Sequence, residues 1–199
     1  MPTIGVLGLQ GGYDAHIQML EALGHKTLQV RNPDDFASLS GLVLPGGEST
    51  TQLKLIHRFN LKLNLDAFIA SGKPVFATCA GMILCAAHVT HPEQDSFGYV
   101  DIDVERNGWG RQLDSFEAKA DGTDLELCFI RAPRIIRVGS GVEVVATFKG
   151  EPVMVRQGNV TAATFHPELT DDSRVHAAIF GSATGEVIEL FKNPKSKSA

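Results

Sequence analysis

Three residues of this 199-residue chain have the types and settings for nucleophilic chemistry: Cys79, His166 and Glu168. Cys79 stands between Val75-Phe-Ala-Thr78, which reads as a short buried strand, and Ala80-Gly-Met-Ile-Leu-Cys-Ala-Ala87, which reads as a helix. A nucleophile on so sharp a turn is held above the edge of a sheet, at the positive end of a helix. There the helix dipole and the first backbone N–H groups favour a thiolate. The same N–H groups can meet the oxyanion formed when sulfur attacks a carbonyl. This is the elbow of the serine hydrolases with sulfur in place of oxygen. Gly81 fits it, because a residue without Cβ lets the helix start pack closely. The stretch reads equally as a small buried cysteine at a strand–helix junction, since free cysteine is among the most buried residue types.

A thiolate needs a base, and Phe165-His-Pro-Glu168 supplies the best candidate. Pro167 biases His166 toward extended backbone, and in an extended segment residues i and i+2 face the same side. A carboxylate beside an imidazole fixes its tautomer and raises its basicity, the part of a third triad member. The segment follows an expected strand, which places it at the same sheet edge as Cys79. A surface loop containing His and Glu would leave the same trace. The other histidines (His16, His25, His57, His88, His91 and His176) show no comparable arrangement and read as surface or capping residues.

Pro45-Gly-Gly-Glu-Ser-Thr-Thr51 is a glycine loop between a strand and a helix. Two glycines allow positive φ and bare N–H groups, which suits an oxyanion or carboxamide cradle. The G-x-x-x-x-G-K pattern of a phosphate loop is absent. The loop also reads as a plain βα turn with Ser49 as N-cap, and both readings can hold together. Glu105-Arg-Asn-Gly-Trp-Gly-Arg-Gln112 and Phe129-Ile-Arg-Ala-Pro133 each set arginine beside turn residues. A guanidinium fork matches a carboxylate such as that of an amino-acid substrate. Solvated surface arginines would look the same.

Positioning these groups falls to alternating strands and helices. Strands are expected over 3–9, 26–30, 41–44 and 75–78, and helices over 14–23, 50–59, 63–70 and 80–87. Continuous apolar strands alternating with helices make βαβ units and a parallel sheet. The second half turns to strands, at 99–104, 115–119, 126–130, 142–148, 152–156 and 161–165, with Lys149-Gly150 and Gly158-Asn159 as hairpin turns. A helix is expected over 174–180, with 185–191 less clearly assigned. The fold class is therefore α/β: a three-layer, flavodoxin-like, mostly parallel central sheet flanked by helices, with β-hairpin additions in the C-terminal half. One domain is expected over 1–191, followed by a disordered polar tail over 192–199.

Composition narrows the function. A share of 43% hydrophobic and 21% charged residues is ordinary for a soluble globular protein. A formal net charge of −5 argues against a general nucleic-acid binder. Three cysteines without a CxxC pair suggest neither a disulfide framework nor a zinc site, and make a reducing cytosol the simplest compartment. Cys85 and Cys128 read as buried. No basic leader and no apolar run of membrane-spanning length is present, so a cytoplasmic location without membrane association is expected.

Taken together, the chain resembles the class I (triad) glutamine amidotransferases, and among them the glutaminase subunits of pyridoxal 5'-phosphate synthase. The matching stretches run in order over nearly the whole chain: Gly5-Val-Leu-Gly-Leu-Gln-Gly11, the Pro45 loop, Thr78-Cys-Ala-Gly-Met82, Arg106-Asn-Gly-Trp-Gly-Arg-Gln-Leu-Asp-Ser-Phe-Glu117, Phe129-Ile-Arg-Ala-Pro133 and Phe165-His-Pro-Glu-Leu-Thr-Asp-Asp172. Many amidotransferases share the elbow and His-Pro-Glu, whereas Gly-Gly-Glu-Ser-Thr-Thr, Phe-Ile-Arg-Ala-Pro and His-Pro-Glu-Leu-Thr-Asp-Asp are more particular. Two departures are visible: Ala77 where the family usually has glycine, and Gly108-Trp109 where it has a small residue before Phe or Tyr. The resemblance implies that Cys79 attacks the carboxamide of L-glutamine, with His166 moving the proton and Glu168 orienting it. Gly47 and Ala80 would supply the oxyanion N–H groups. Gly47, Glu48, Ser49, Arg106, Ile130 and Arg131 fall at the glutamine-binding positions. It also implies no cofactor or metal, and a partner: a (β/α)8-barrel synthase subunit, in a large hetero-oligomer, that receives the ammonia. A glutaminase of another pathway, such as histidine synthesis, fits the particular segments less well. A catalytically inactive activator of a synthase would not need Cys79, His166 and Glu168.

Overall fold

A computed structural model of the chain describes residues 2–108 and 115–181. The expected tail over 192–199, the segment 185–191 and Trp109 lie outside the described residues. The first half is Thr3–Leu7 (β1), Tyr13–Ala22 (α1), Lys26–Val30 (β2), Gly41–Leu44 (β3), Ser49–Arg58 (α2), Lys62–Ala70 (α3), Val75–Thr78 (β4) and Ala80–Cys85 (α4). The second is Ala86–Thr90 (β5), Val100–Glu105 (β6), Ser115–Lys119 (β7), Glu126–Ile130 (β8), Arg134–Val138 (β9), Glu143–Phe148 (β10), Glu151–Gln157 (β11), Val160–Ala163 (β12) and Arg174–Phe180 (α5).

One seven-stranded sheet carries the fold, in the order β10-β11-β12-β4-β3-β1-β2. From β12 to β2 every pairing is parallel, and β10 and β11 add an antiparallel edge. The fold is thus α/β with a mostly parallel sheet, as the alternation of elements implies. Lys149 and Gly150 turn β10 into β11 with φ of 53° and 79°, the left-handed pair a two-residue hairpin needs. Along the central strands alternate side chains reach opposite faces. Leu42, Leu44, Val75 and Ala77 join a core with Ile56, Leu65 and Met82, on the side of α2, α3 and α4. Val43 and Phe76 join a second core with Leu20, Phe129, Phe165 and Val175, on the side of α1, α5 and the β7–β8 pair. Two buried faces make three layers.

Two stretches depart from the sequence reading. The helix after Cys79 ends at Cys85, not at residue 87, and Ala86 turns extended at φ −64° and ψ 155°. Residues 86–90 pair parallel with β6 in a separate three-stranded sheet, burying Ala86 and Val89. The pairing and β-branched Val89 and Thr90 outweigh the helix preference of the two alanines. The third strand of that sheet, β9, is absent from the sequence reading. It follows Pro133 and reads Arg134-Ile-Ile-Arg-Val138, with Ile135 buried, and Arg137 reaches across to Asp101 and Asp103 at 2.6 and 2.7 Å.

Candidate active site

The nucleophile candidate occupies strained backbone. Cys79 lies at φ 46° and ψ −103°, where a β-carbon is disfavoured. Its N–H donates to the Ala163 carbonyl at 2.8 Å and its own carbonyl accepts from Ile83 at 3.0 Å, so strand and helix both hold the turn. Gly81 matters as expected, though the close neighbour is β3: a Cβ there would lie 2.0 Å from the Leu44 carbonyl oxygen.

The register Ala163↔Thr78 ends β12 and β4 at one edge, and the chain then carries His166 over Cys79. Cys79 and His166 line the same cleft, and the sulfur raises the proton affinity of the imidazole. On the other side His166 Nδ1 lies 2.7 Å from Glu168 Oε1, which leaves Nε2 for the sulfur. All three residues are buried. Burial pulls the His166 imidazole toward neutrality, but the adjacent Cys79 sulfur and the Glu168 carboxylate raise its pKa to about 10. Burial alone would protonate Glu168; the neighbouring His16, then His166, hold it well below the usual carboxylate range. His166 and Glu168 do pair, but through a 3-10 turn over Pro167–Leu169 rather than the extended segment expected.

The glycine loop closes over this pair. A Cβ on Gly46 would lie 2.3 Å from His166 Cε1, and one on Gly47, at φ 154°, would lie 2.5 Å from Gln10 Oε1. Gln10 Oε1 accepts the Glu48 N–H at 2.9 Å. Gln52 Nε2 donates to the carbonyls of Gln10, Pro45 and Gly46. These two glutamines were not among the sequence candidates, and only their nearness to the loop marks them. Ser49 is not the N-cap of α2. Glu48 is: its carboxylate accepts from Thr50 N at 3.1 Å and Thr51 N at 2.7 Å. Ser49 is instead the first helical residue, with its hydroxyl donated to Gln94 at 2.7 Å. Burial works against it, but the Thr51 and Thr50 hydrogen bonds bring Glu48 down to about 2.

A cleft of about 340 Å³ gathers these groups, lined by Cys79, His166, Glu168, Gly47, Glu48, Ser49, Arg106, Ile130 and Arg131 among others. Ala80 contributes as the first residue of α4, whose N–H has no acceptor within the helix. Arg106 Nη2 is engaged by Glu48 Oε1 at 3.0 Å. Arg131, at φ 43° just after β8, is exposed in the cleft. A separate groove of about 450 Å³, lined by Glu117, Lys119, Glu126 and Asp171, contains none of the candidate residues. Among the described residues no group of three or more His, Cys, Asp or Glu side chains is placed to hold a metal ion, and no helix is long and apolar enough to cross a membrane.

The histidines need correction. His16 and His176 are fully buried and His25 nearly so, not surface residues. His16 Nε2 stands 3.3 Å from Glu168 Oε1. A signal existed: His16 precedes Leu20 by four residues on the stripe of α1 that continues to Leu23, so it lies on the helix's buried face. Cys85 is buried, and burial lifts its thiol to about 12; Cys128 is only partly buried.

Fold and cleft together define an α/β protein built around a cysteine elbow with a His–Glu pair in the turn after the adjoining strand. Residues 6–182 match the model of the SNO glutamine amidotransferase family, and the chain belongs to that family. It is 49% identical over 179 residues to the pyridoxal 5'-phosphate synthase subunit PdxT of Kosmotoga olearia, covering 87% of this chain and 93% of that one. To the like-named subunit of Solibacter usitatus it is 49% identical over 187 residues, covering 89% and 97%. A solved structure described as a glutamine amidotransferase superposes with a TM-score of 0.83 at 41% identity, over 88% of this chain and 96% of its own.

Proposed function

We propose that this chain is the glutaminase subunit of a pyridoxal 5'-phosphate synthase, hydrolysing L-glutamine to glutamate and passing the ammonia to a (β/α)8-barrel synthase subunit. The observation that carries the reading is the elbow itself: Cys79 in strained backbone, lining one cleft with His166, whose Nδ1 is bonded in turn to Glu168. Membership of the family and the names of the relatives support the substrate and the assembly.

The geometry supports the following course. Arg131, and the N–H groups that Arg106 keeps after pairing with Glu48, hold the α-carboxylate of glutamine at one end of the cleft. The carboxamide then lies over Cys79. Sulfur attacks the carbonyl carbon, and the oxygen becomes an oxyanion received by the N–H groups of Gly47 and Ala80. His166 carries the proton gained from the thiol and gives it to the amide nitrogen as the C–N bond breaks, releasing ammonia. Glu168 keeps Nδ1–H on its own side, so Nε2 alone faces the reaction. Water then adds to the thioester, His166 taking its proton, and glutamate leaves with the thiol restored. The test is an assay of glutamate and pyridoxal phosphate, with and without a candidate synthase subunit. Cys79→Ala is expected to abolish glutamine hydrolysis while leaving partner binding and synthesis from added ammonia intact. Full glutamine-dependent synthesis by that variant would refute the assignment.

A further inference from the structure

Behind the His166–Glu168 pair lies a second, sealed set of polar side chains that the course above leaves unused. His16 from α1 is fully buried, with Nε2 3.3 Å from Glu168 Oε1 and 3.2 Å from Thr78 Oγ1. Its Nδ1 lies 2.8 Å from Nε2 of His176, which α5 carries and which is equally buried. The Phe76 ring presses edge-on against both imidazoles, at 6.2 and 5.3 Å. We propose that His16 is a positioning residue for the glutaminase reaction: its Nε2–H, fixed in that tautomer by His176, keeps Glu168 ionised and turned toward His166.

The tautomers follow from counting donors and acceptors. A 2.8 Å contact between two ring nitrogens needs one proton between them. If His176 Nε2 donates it, His16 Nδ1 is bare and the His16 proton sits on Nε2, where Thr78 Oγ1 at 3.2 Å and Glu168 Oε1 at 3.3 Å both lie within reach. His176 Nδ1, which has no partner among the described residues, is then merely a lone pair. The opposite assignment buries an unanswered N–H on His176 and sets a bare His16 nitrogen against the carboxylate. That arrangement leaves one donor unpaired and opposes two lone pairs. Burial, the largest cause, pushes His176 down to about 3, in keeping with a neutral ring.

The carboxylate needs this donor. Glu168 is almost wholly enclosed, and its Oε2 has no partner among the described residues. Both imidazoles therefore converge on one oxygen. With His166 alone as donor, burial would favour the protonated acid, and an acid no longer pins the His166 Nδ1–H. The ionisable groups facing His16 are Glu168, from the turn after β12, and His176 of α5; β4 contributes only Thr78 and Phe76. His166 and Cys79 lie beyond Glu168.

The inference rests on the glutaminase reading, and the experiment separates the two. Glutamate release by the wild-type chain with its synthase subunit is compared with His16→Leu and His16→Gln, corrected for folded fraction. His16→Leu removes the donor. It is expected to lower kcat about 10- to 100-fold with KM for glutamine near wild type, and to move the acid limb of kcat/KM upward in pH. His16→Gln, which restores an N–H at the same reach, is expected to recover most of kcat and the original limb. Wild-type kcat and an unmoved acid limb in His16→Leu would overturn the positioning role. An inactive wild type would instead sink the glutaminase reading. Should His16→Leu fail to fold, ¹⁵N NMR of the wild-type imidazoles decides. A proton on Nε2 and a bare Nδ1 of His16 is the required pattern, and the reverse refutes it.

Discussion

At the Cys79–His166 contact, two effects oppose each other. Burial drives the imidazole toward neutrality, while the sulfur and the Glu168 carboxylate draw a proton onto it, and the latter win. Removing the sulfur should therefore lower the His166 pKa from about 10, as read by NMR titration of the ring in Cys79→Ala. A ring still titrating there would assign the effect to Glu168 alone. The two arginines are unequal. Arg106 is already tied to Glu48, which also caps α2, so its loss disturbs the glycine loop as well as the cleft. Arg131 stands in the cleft without such a tie among the described residues. Alanine at either position is expected to raise KM for glutamine about 10-fold or more. Arg106→Ala should also lower kcat, and steady-state kinetics showing identical effects at the two sites would contradict this division.

The elements explain both what the sequence revealed and what it hid. Val75–Thr78 and Ala80 onward were readable because a buried strand running into a helix has a strong local pattern, and the cysteine falls between them. Residues 86–90 were not, because their strand character comes from a partner, β6, rather than from their own alanines. His16 escaped for a related reason: its helix position is visible, but its use depends on Glu168 and His176, far away in the chain. Ser49 lost the N-cap to Glu48 because the carboxylate reaches two N–H groups and the Thr51 hydroxyl at once. The elbow's own tolerance can be tested at Gly81. A methyl there meets a backbone carbonyl that cannot swing aside, so α4 must lift away from β3. Gly81→Ala should cost about 1–3 kcal/mol of stability in denaturant titration, together with a loss of hydrolysis. An unchanged midpoint would mean that α4 is free to shift.

For the molecule as a whole, the buried ionisable groups set a stability profile with pH. His176 titrates near 6.5 when unfolded but at about 3 when folded, so the unfolded chain binds the extra proton between those values and stability falls as pH drops below 6.5. Glu168, depressed from 4.5, adds its loss below that pH. His166 acts oppositely: raised from 6.5 to about 10, its contribution is complete below 6.5 and fades as pH climbs toward 10. Stability should peak near pH 6.5, with each proton tilting the curve by at most about 1.4 kcal/mol per pH unit. Melting temperatures across pH 4 to 10 check this, and a profile flat from 6.5 to 4.5 would show that native His176 is charged. The β4–β12 pairing has a temporal consequence too. These strands lie side by side in the sheet, yet β5 to β11 separate them along the chain. As a ribosome delivers the chain, the thiol emerges long before its imidazole, and so non-local a pairing is a late event in folding. Until β12 docks, Cys79 has neither the His166 imidazole near it nor the Ala163 carbonyl that holds its elbow. On the glutaminase reading proposed above, the nucleophile is therefore assembled only with the nearly finished fold.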